Sequence, residues 1–292
     1  MRYHKSALIF APALLLTIWG CSAPSPGSNP PPGESPGPEG NAAVPKRRGA
    51  VLYGTINQGK YRLDSRDSIA MEMPDGSFQR TVTVKSAFLT LSLRPSGTGF
   101  AAEISLDSMM LDRPNAMVQP LVDSARGTHW QGIVRRTGQL DSLTASKASV
   151  FGEQVRAMLH RLLPVVPDSG AEPGDRWQDR GTMPYQIMAG FAATEQRVAQ
   201  YVAGKWEDMN GKRALSIRST IDYTVTGSGS GFGQEIRFEG SGRAEGVHHL
   251  TPSGILLHAE VTDSVKMTLT VPAVGQSVPA VVVTSYSLSQ AP

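Results

Sequence analysis

The 292-residue chain holds a single cysteine, Cys21. One cysteine excludes an intrachain disulfide framework and any zinc site built from several thiolates. Membrane-length apolar runs are also missing. The run from Ala7 to Trp19 covers 13 residues, is interrupted only by Pro12 and Thr17, and is too short to cross a bilayer; no later run reaches that length. Net charge is small, with 28 Lys and Arg against 25 Asp and Glu. Without Arg2 and Lys5, which precede the apolar run, the formal charge falls from +3 to +1. The sequence pI near 9.0 is therefore no nucleic-acid footprint, and no basic stripe with interleaved aromatics occurs. Catalytic signatures are lacking too. There is no His-Glu-x-x-His and no Gly-x-Ser-x-Gly elbow, since Gly227-Ser228-Gly229-Ser230-Gly231 spaces its serines wrongly. The same stretch fails the Gly-x-Gly-x-x-Gly pattern and lies in no strand–helix–strand unit, so no cofactor is expected. Glycine at every second position there marks a sharply curved or flexible hairpin.

What is present begins at the amino terminus. Arg2, His4 and Lys5 form a basic start, and the apolar run has the length of a signal-peptide core. It ends in Ile18-Trp19-Gly20-Cys21. This resembles the lipobox of bacterial lipoproteins, with an aliphatic residue at minus three and a small residue at minus one; Trp19 departs from the smaller residue usual there. The resemblance implies that residues 1–20 are removed and that Cys21 carries a diacylglycerol, usually joined by an amino-terminal acyl chain such as palmitate. A lone cysteine in an exported protein fits that role. Acyl chains stabilise membrane attachment by about 0.8 kcal/mol per buried CH₂, which makes a doubly or triply acylated anchor effectively permanent. Ser22 is not the aspartate that resembles an inner-membrane retention signal, so the outer membrane is the expected location.

Residues 21–48 read as the lipidated cysteine and a disordered tether. Ser22 to Pro45 contains eight prolines, four glycines and no aromatic residue. Such a stretch buries too little apolar area to offset its ordering entropy, and its prolines favour an extended chain. Lys46-Arg47-Arg48 closes the tether as a solvated edge.

From Val51 onward the period is two. Leu215, Ile217, Ile221, Tyr223 and Val225 share one face; so do Ile255, Leu257, Ala259 and Val261, and then Val265, Met267, Leu269 and Val271. One apolar and one polar face predict an antiparallel sheet packed on one side. Turn signals separate the strands: Asn57-Gln58-Gly59, Pro74-Asp75-Gly76, Ser96-Gly97, Thr137-Gly138, Asn210-Gly211 and Pro252-Ser253-Gly254. The phase switch from Val82 and Val84 to Leu89, Leu91 and Leu93 predicts a bulge near Lys85–Ala87. Helical spacing appears once clearly, in Val150, Phe151, Val155, Met158, Leu159 and Leu162, with Ser146 or Thr144 as cap and Pro164 as stop. A shorter helix is predicted over Gln119–Ala125, with Pro120 in its first turn. The fold expected is mainly β with one or two helices: long curved antiparallel strands in an open or half-barrel.

Glycines recur at offsets of 114–116 residues, pairing Gly59 with Gly174, Gly76 with Gly190, Gly97 with Gly211, Gly127 with Gly242, Gly132 with Gly246 and Gly138 with Gly254. The repeat predicts two related halves: residues 49–165, with the covering helix, and residues 166–292. The layout of lipobox, Pro-rich tether, strands, a helix ending in Leu163-Pro164 and a Pro173-Gly174-Asp175-Arg176-Trp177 turn resembles a family of uncharacterised bacterial lipoproteins. More loosely, long strands with a covering helix are similar to the half-barrel folds of lipoprotein carriers and mycobacterial-type lipid carriers. That resemblance implies an apolar cavity between a concave sheet and its helix.

On these grounds the expected protein is a lipid-anchored, non-enzymatic lipoprotein of the bacterial envelope. Its partners are the membrane, through the acyl anchor, and an apolar ligand or lipid; no nucleic acid is expected, and the oligomeric state is open. Phe151, Val155, Met158 and Leu162 are the candidate ligand-binding residues and Cys21 the lipidation site. Two alternatives stand beside this one. The domain could be a structural or protein-interaction module of the envelope, with a filled core. Or it could be a hydrolase or metal-dependent enzyme built on His248, His249 and His258 around one hairpin. The plainer reading of those histidines is exposed strand residues on the polar face, holding no metal.

Overall fold

In a computed structural model, strands follow one another along most of the described chain. They are β1 (Ile56–Glu72), β2 (Phe78–Ser96), β3 (Gly99–Leu111), β4 (His129–Arg135), β5 (Leu140–Ala145), β6 (Arg176–Met188), β7 (Phe191–Met209), β8 (Lys212–Gly231), β9 (Gln234–Leu250), β10 (Leu256–Val271) and β11 (Gln276–Gln290). Helix α1 (Gln119–Ala125) lies between β3 and β4, and α2 (Val150–Leu162) between β5 and β6. The structure describes Arg47 and residues 49–291, apart from 73–75, 114–115, 117, 189–190 and 232–233. The expected signal, Cys21 and most of the tether lie outside the described residues. Among the described residues no helix is long and apolar enough to cross a membrane.

The strands form one antiparallel sheet ordered β5-β4-β3-β2-β1-β11-β10-β9-β8-β7-β6. Neighbours in space are neighbours in sequence except at one join, where the first strand pairs the last from Tyr61↔Gln290 to Met71↔Ala280. The two edges, β5 and β6, are consecutive in the chain. Between them the chain leaves the sheet to form α2, so the barrel stays open at that seam. Helix α2 packs on β5 and β6 at the two edges and on β10 and β11 in the middle; α1 packs on β3 and α2. This is the open, mainly β architecture that the alternation predicted.

Local chemistry explains the elements. Asn210 and Gly211, with φ of 55° and 76°, take the left-handed conformations that a tight β7–β8 hairpin needs. Helix α2 presents the predicted stripe inward, with Phe151, Val155, Leu159 and Leu162 buried. Its cap is Ser149, whose hydroxyl accepts from the Gly152 N–H at 3.3 Å, rather than Ser146 or Thr144. Ser146 instead accepts the backbone N–H of His129. In α1, Val122 and Ala125 are the buried positions.

Two sequence expectations fail locally. Asn57-Gln58-Gly59 is no turn; it lies within β1, where the pairing with β2 slips between Ile56 and Gly59. Nor is there a bulge at Lys85–Ala87, because β1–β2 pairing runs unbroken from Gly59↔Leu91 to Glu72↔Phe78. The nearest irregularity lies between Phe88 and Leu89, against β3. The apolar phase switches because Val82 and Val84 lie on the outer face, while Lys85 takes an inward position. Val82 is 43% exposed and Lys85 3%.

Candidate functional site

Alternation along the strands puts one set of residues on the concave face that α2 occupies. On β1 they are Tyr61, Leu63, Ser65, Asp67, Ile69 and Met71, and register carries this set across to Leu288, Tyr286, Thr284, Val282 and Ala280 on β11. The face divides into three zones along the strands.

The first zone, at the end where α2 lies, is solid. Tyr61, Leu89, Leu93, Ile104, Leu256 and Leu288 meet Leu159 and Leu163 around a void of about 20 Å³, room for roughly one water molecule. Around Val155 and Met158, against Leu63, Ala87 and Met109, no space remains for even one. Phe151, Val155 and Leu162 are thus buried in a filled core, and Met158 is half-buried beside it.

A polar band crosses the middle zone. Arg161, on the last turn of α2, donates to both carboxylate oxygens of Glu195 on β7 at 3.3 and 3.0 Å, and to Asp263 on β10 at 2.9 Å. Tyr223 donates its hydroxyl to Asp263 at 2.6 Å, and the guanidinium lies over its ring at 4.6 Å. Tyr223 can lie flat across β9 because the residue there is Gly242; a Cβ would come within 2.3 Å of its ring. Burial, followed by the nearby Asp263 charge, drives the Tyr223 phenol well above its usual range. Farther along the band, Lys85 pairs with Asp67 and donates to Gln154 of α2 at 3.2 Å. Buried His248 joins the carboxyl-terminal end of α2 to β9. Its Nδ1 lies 3.0 Å from the Leu162 carbonyl, which can only accept, so Nδ1 carries the proton and Nε2 accepts from the Ser219 hydroxyl at 2.9 Å. Burial pushes this imidazole down to about 4.

The third zone is apolar and distal to α2. Among the described residues a second cluster of buried Ala193, Val225, Ile236 and Phe238, with half-buried Val265, Leu269 and Val271 against it, contains only strand residues. Ile69, Met71, Met267 and Val282 are also half-buried on this face.

A cleft of about 270 Å³ opens in the seam between the edges β5 and β6, beside α2. Arg156, His160, Arg180 and Arg197 line it, with Asp141 and Asp179. Burial, then the charges of Arg197, Arg156 and Arg161, holds His160 down at about 4. With His160 neutral, three arginines stand against two aspartates in the lining.

The histidine hairpin differs from the surface expectation. His248 faces the core, and His249, only 8% exposed, pairs with His258 across β9 and β10 with ring centroids 6.1 Å apart. His249 lies 3.4 Å from Glu207; His258 bonds Ser289 and Glu260. Among the described residues no three His, Cys, Asp or Glu side chains gather as a metal ligand set. The Pro173–Trp177 turn is structural here. Asp175 pairs with Arg47 and accepts the Glu172 N–H, while Trp177 stacks on Tyr201 at 5.4 Å and donates to the Val165 carbonyl.

No family model matches this chain, and no curated protein matches it. Solved structures give distant likenesses. A DUF1329 family protein from Desulfovibrio piger ATCC 29098 is 11% identical, covering 80% of this chain and 86% of its own, with a TM-score of 0.18. The LolA superfamily protein NE2245 from Nitrosomonas europaea is 9% identical, covering 81% and 88%, with a TM-score of 0.15. Likenesses of this size carry no functional weight.

Proposed function

We propose that this chain is a lipid-anchored envelope protein that binds an apolar ligand, without catalysis, on the concave face of its open sheet. Acylated Cys21 is the anchor and residues 22–48 are the spacer, which leaves the sheet domain free to work away from the bilayer. The observation that supports ligand binding is the distal zone. Its side chains are apolar and converge on one concave face, and the cluster they form includes no helical residue. Apolar surface gathered in a concavity favours an apolar occupant by about 25 cal/mol per Å² removed from water. Phe151, Val155, Met158 and Leu162 would join the ligand surface only if α2 withdrew, since their present contacts are closed.

The test is native mass spectrometry of the full-length protein released from detergent micelles, with chloroform extraction of the same sample. A bound lipid-sized mass is expected in the wild type and its loss in Leu269→Glu, while Met158→Ala retains it. No bound mass, or one undiminished in Leu269→Glu, overturns the proposal. The filled core beneath α2 favours the second reading, a structural or interaction module. An empty wild type would establish that reading instead.

A further inference from the structure

The seam cleft contains a buried guanidinium with idle donors. Arg197 takes an inward position on β7, between Glu195 and Ala199, and its side chain is 7% exposed. Its partner in the β6–β7 ladder is Gly181, where a Cβ would make an ordinary van der Waals contact with Nε at 3.8 Å. Only Nη2 is engaged, with Asp179 at 3.4 Å, near the limit of a hydrogen bond. Nε and Nη1 have no partner among the described residues. Folded proteins leave few buried donors unmade, and each one calls for an explanation. A structural ion pair would not supply it. Elsewhere in the cleft Asp141 is matched by Arg135 at 2.7 Å and Arg156 by Glu153 at 2.7 Å, while exposed Arg180 reaches the Gln178 amide oxygen at 3.5 Å. Arg197 is a buried cation with incomplete coordination among the described residues, and it lines an open cleft.

At about 270 Å³ the cleft lies just below the range of about 300 to 1,000 Å³ for drug-sized molecules and has room for a head group. Its inner wall leads to the distal apolar zone. Met183 of the cleft pairs with Glu195, and Glu195 with Val225 of the apolar cluster. We propose that the seam cleft binds the anionic head of an amphiphile, a carboxylate or phosphate, with Arg197 as its anchor and the chain lying along the distal apolar face. The head site stands on Arg197; the placement of the chain rests on the apolar-ligand reading above. Phosphate and carboxylate oxygens accept guanidinium hydrogen bonds well, and the low dielectric of the site strengthens them.

The experiment titrates full-length protein in neutral detergent with dodecyl phosphate, dodecanol or inorganic phosphate and counts adducts by native mass spectrometry. Dodecyl phosphate is expected to bind at least about tenfold more tightly than either other probe, with Arg197→Gln cutting that affinity about tenfold. Arg180→Glu changes an exposed side chain at the mouth, so its effect does not depend on how Arg197→Gln folds; it is expected to weaken dodecyl phosphate several-fold and leave dodecanol unchanged. Equal binding of dodecyl phosphate and dodecanol, untouched by both substitutions, overturns the head site and leaves the apolar reading standing. Inorganic phosphate binding as tightly as dodecyl phosphate overturns the amphiphile and leaves a site for the free anion. No binding of any probe overturns both.

Discussion

Arg161 offers the sharpest test of how α2 is held in the sheet. One guanidinium there answers two carboxylates from different strands. Glu195 is 1% exposed and receives two of its N–H groups; Asp263 receives a third and keeps the Tyr223 hydroxyl as a second donor. Arg161→Met preserves the aliphatic stem and removes the charge. Glu195 then remains buried without its cation. Breaking a buried ion pair from one side costs about 3–5 kcal/mol, far more than the pair itself contributes over an apolar replacement. Against a total stability of about 5–15 kcal/mol, that is a large fraction. Glu195→Leu alone should cost less, since Arg161 keeps Asp263. The double variant should recover much of the Arg161→Met loss, because two apolar side chains then meet where two charges were. Urea unfolding followed by tryptophan fluorescence measures all four proteins and closes the cycle. An Arg161→Met loss below about 1 kcal/mol, or a double variant as unstable as the sum of the singles, would refute the reasoning.

His248 should make the protein acid-sensitive. It is neutral in the fold and held down to about 4, whereas an unfolded histidine protonates near 6.5, so stability is full above pH 6.5 and falls as the pH drops toward 4. The contribution is at most about 3 kcal/mol, and His248→Gln should flatten that part of the pH–stability curve. Gly242→Ala should destabilise by about 1–3 kcal/mol, because the new methyl group meets the Tyr223 ring; an unchanged urea midpoint would show that the ring moves freely. Ser149→Ala should cost about 1 kcal/mol through the lost α2 cap, and Ser146→Ala should not act through that cap. Cys21→Ser should abolish labelled fatty-acid incorporation and release the protein from membranes; continued labelling would end the lipoprotein reading.

Local chemistry made much of the fold legible in the sequence. Period-two runs such as Leu215 to Val225 and glycine-bearing turns such as Asn210-Gly211 specify strands and hairpins through neighbouring residues alone. The stripe from Val150 to Leu162 specifies α2 in the same way. The site was legible only in part, since its charged members sit where an apolar residue is expected. Lys85, Glu195, Arg197 and Asp263 all occupy inward positions of period-two strands, which is the signal that could have marked them. The phase switch at Lys85 showed in the sequence, yet a bulge explained it equally well until the register with β1 was known. Which strands close the sheet, and which charges then meet, depends on residues far apart in the chain. Arg161 finds Asp263 102 residues away, and Tyr61 faces Gln290 across the join of first and last strands. The elements follow from the residue pattern, because turns, caps and alternation are set within a few residues. The join at β1 and β11, the seam at β5 and β6, and the burial of His248 and Arg197 emerge in the folded molecule, because sheet register and long-range packing place those groups.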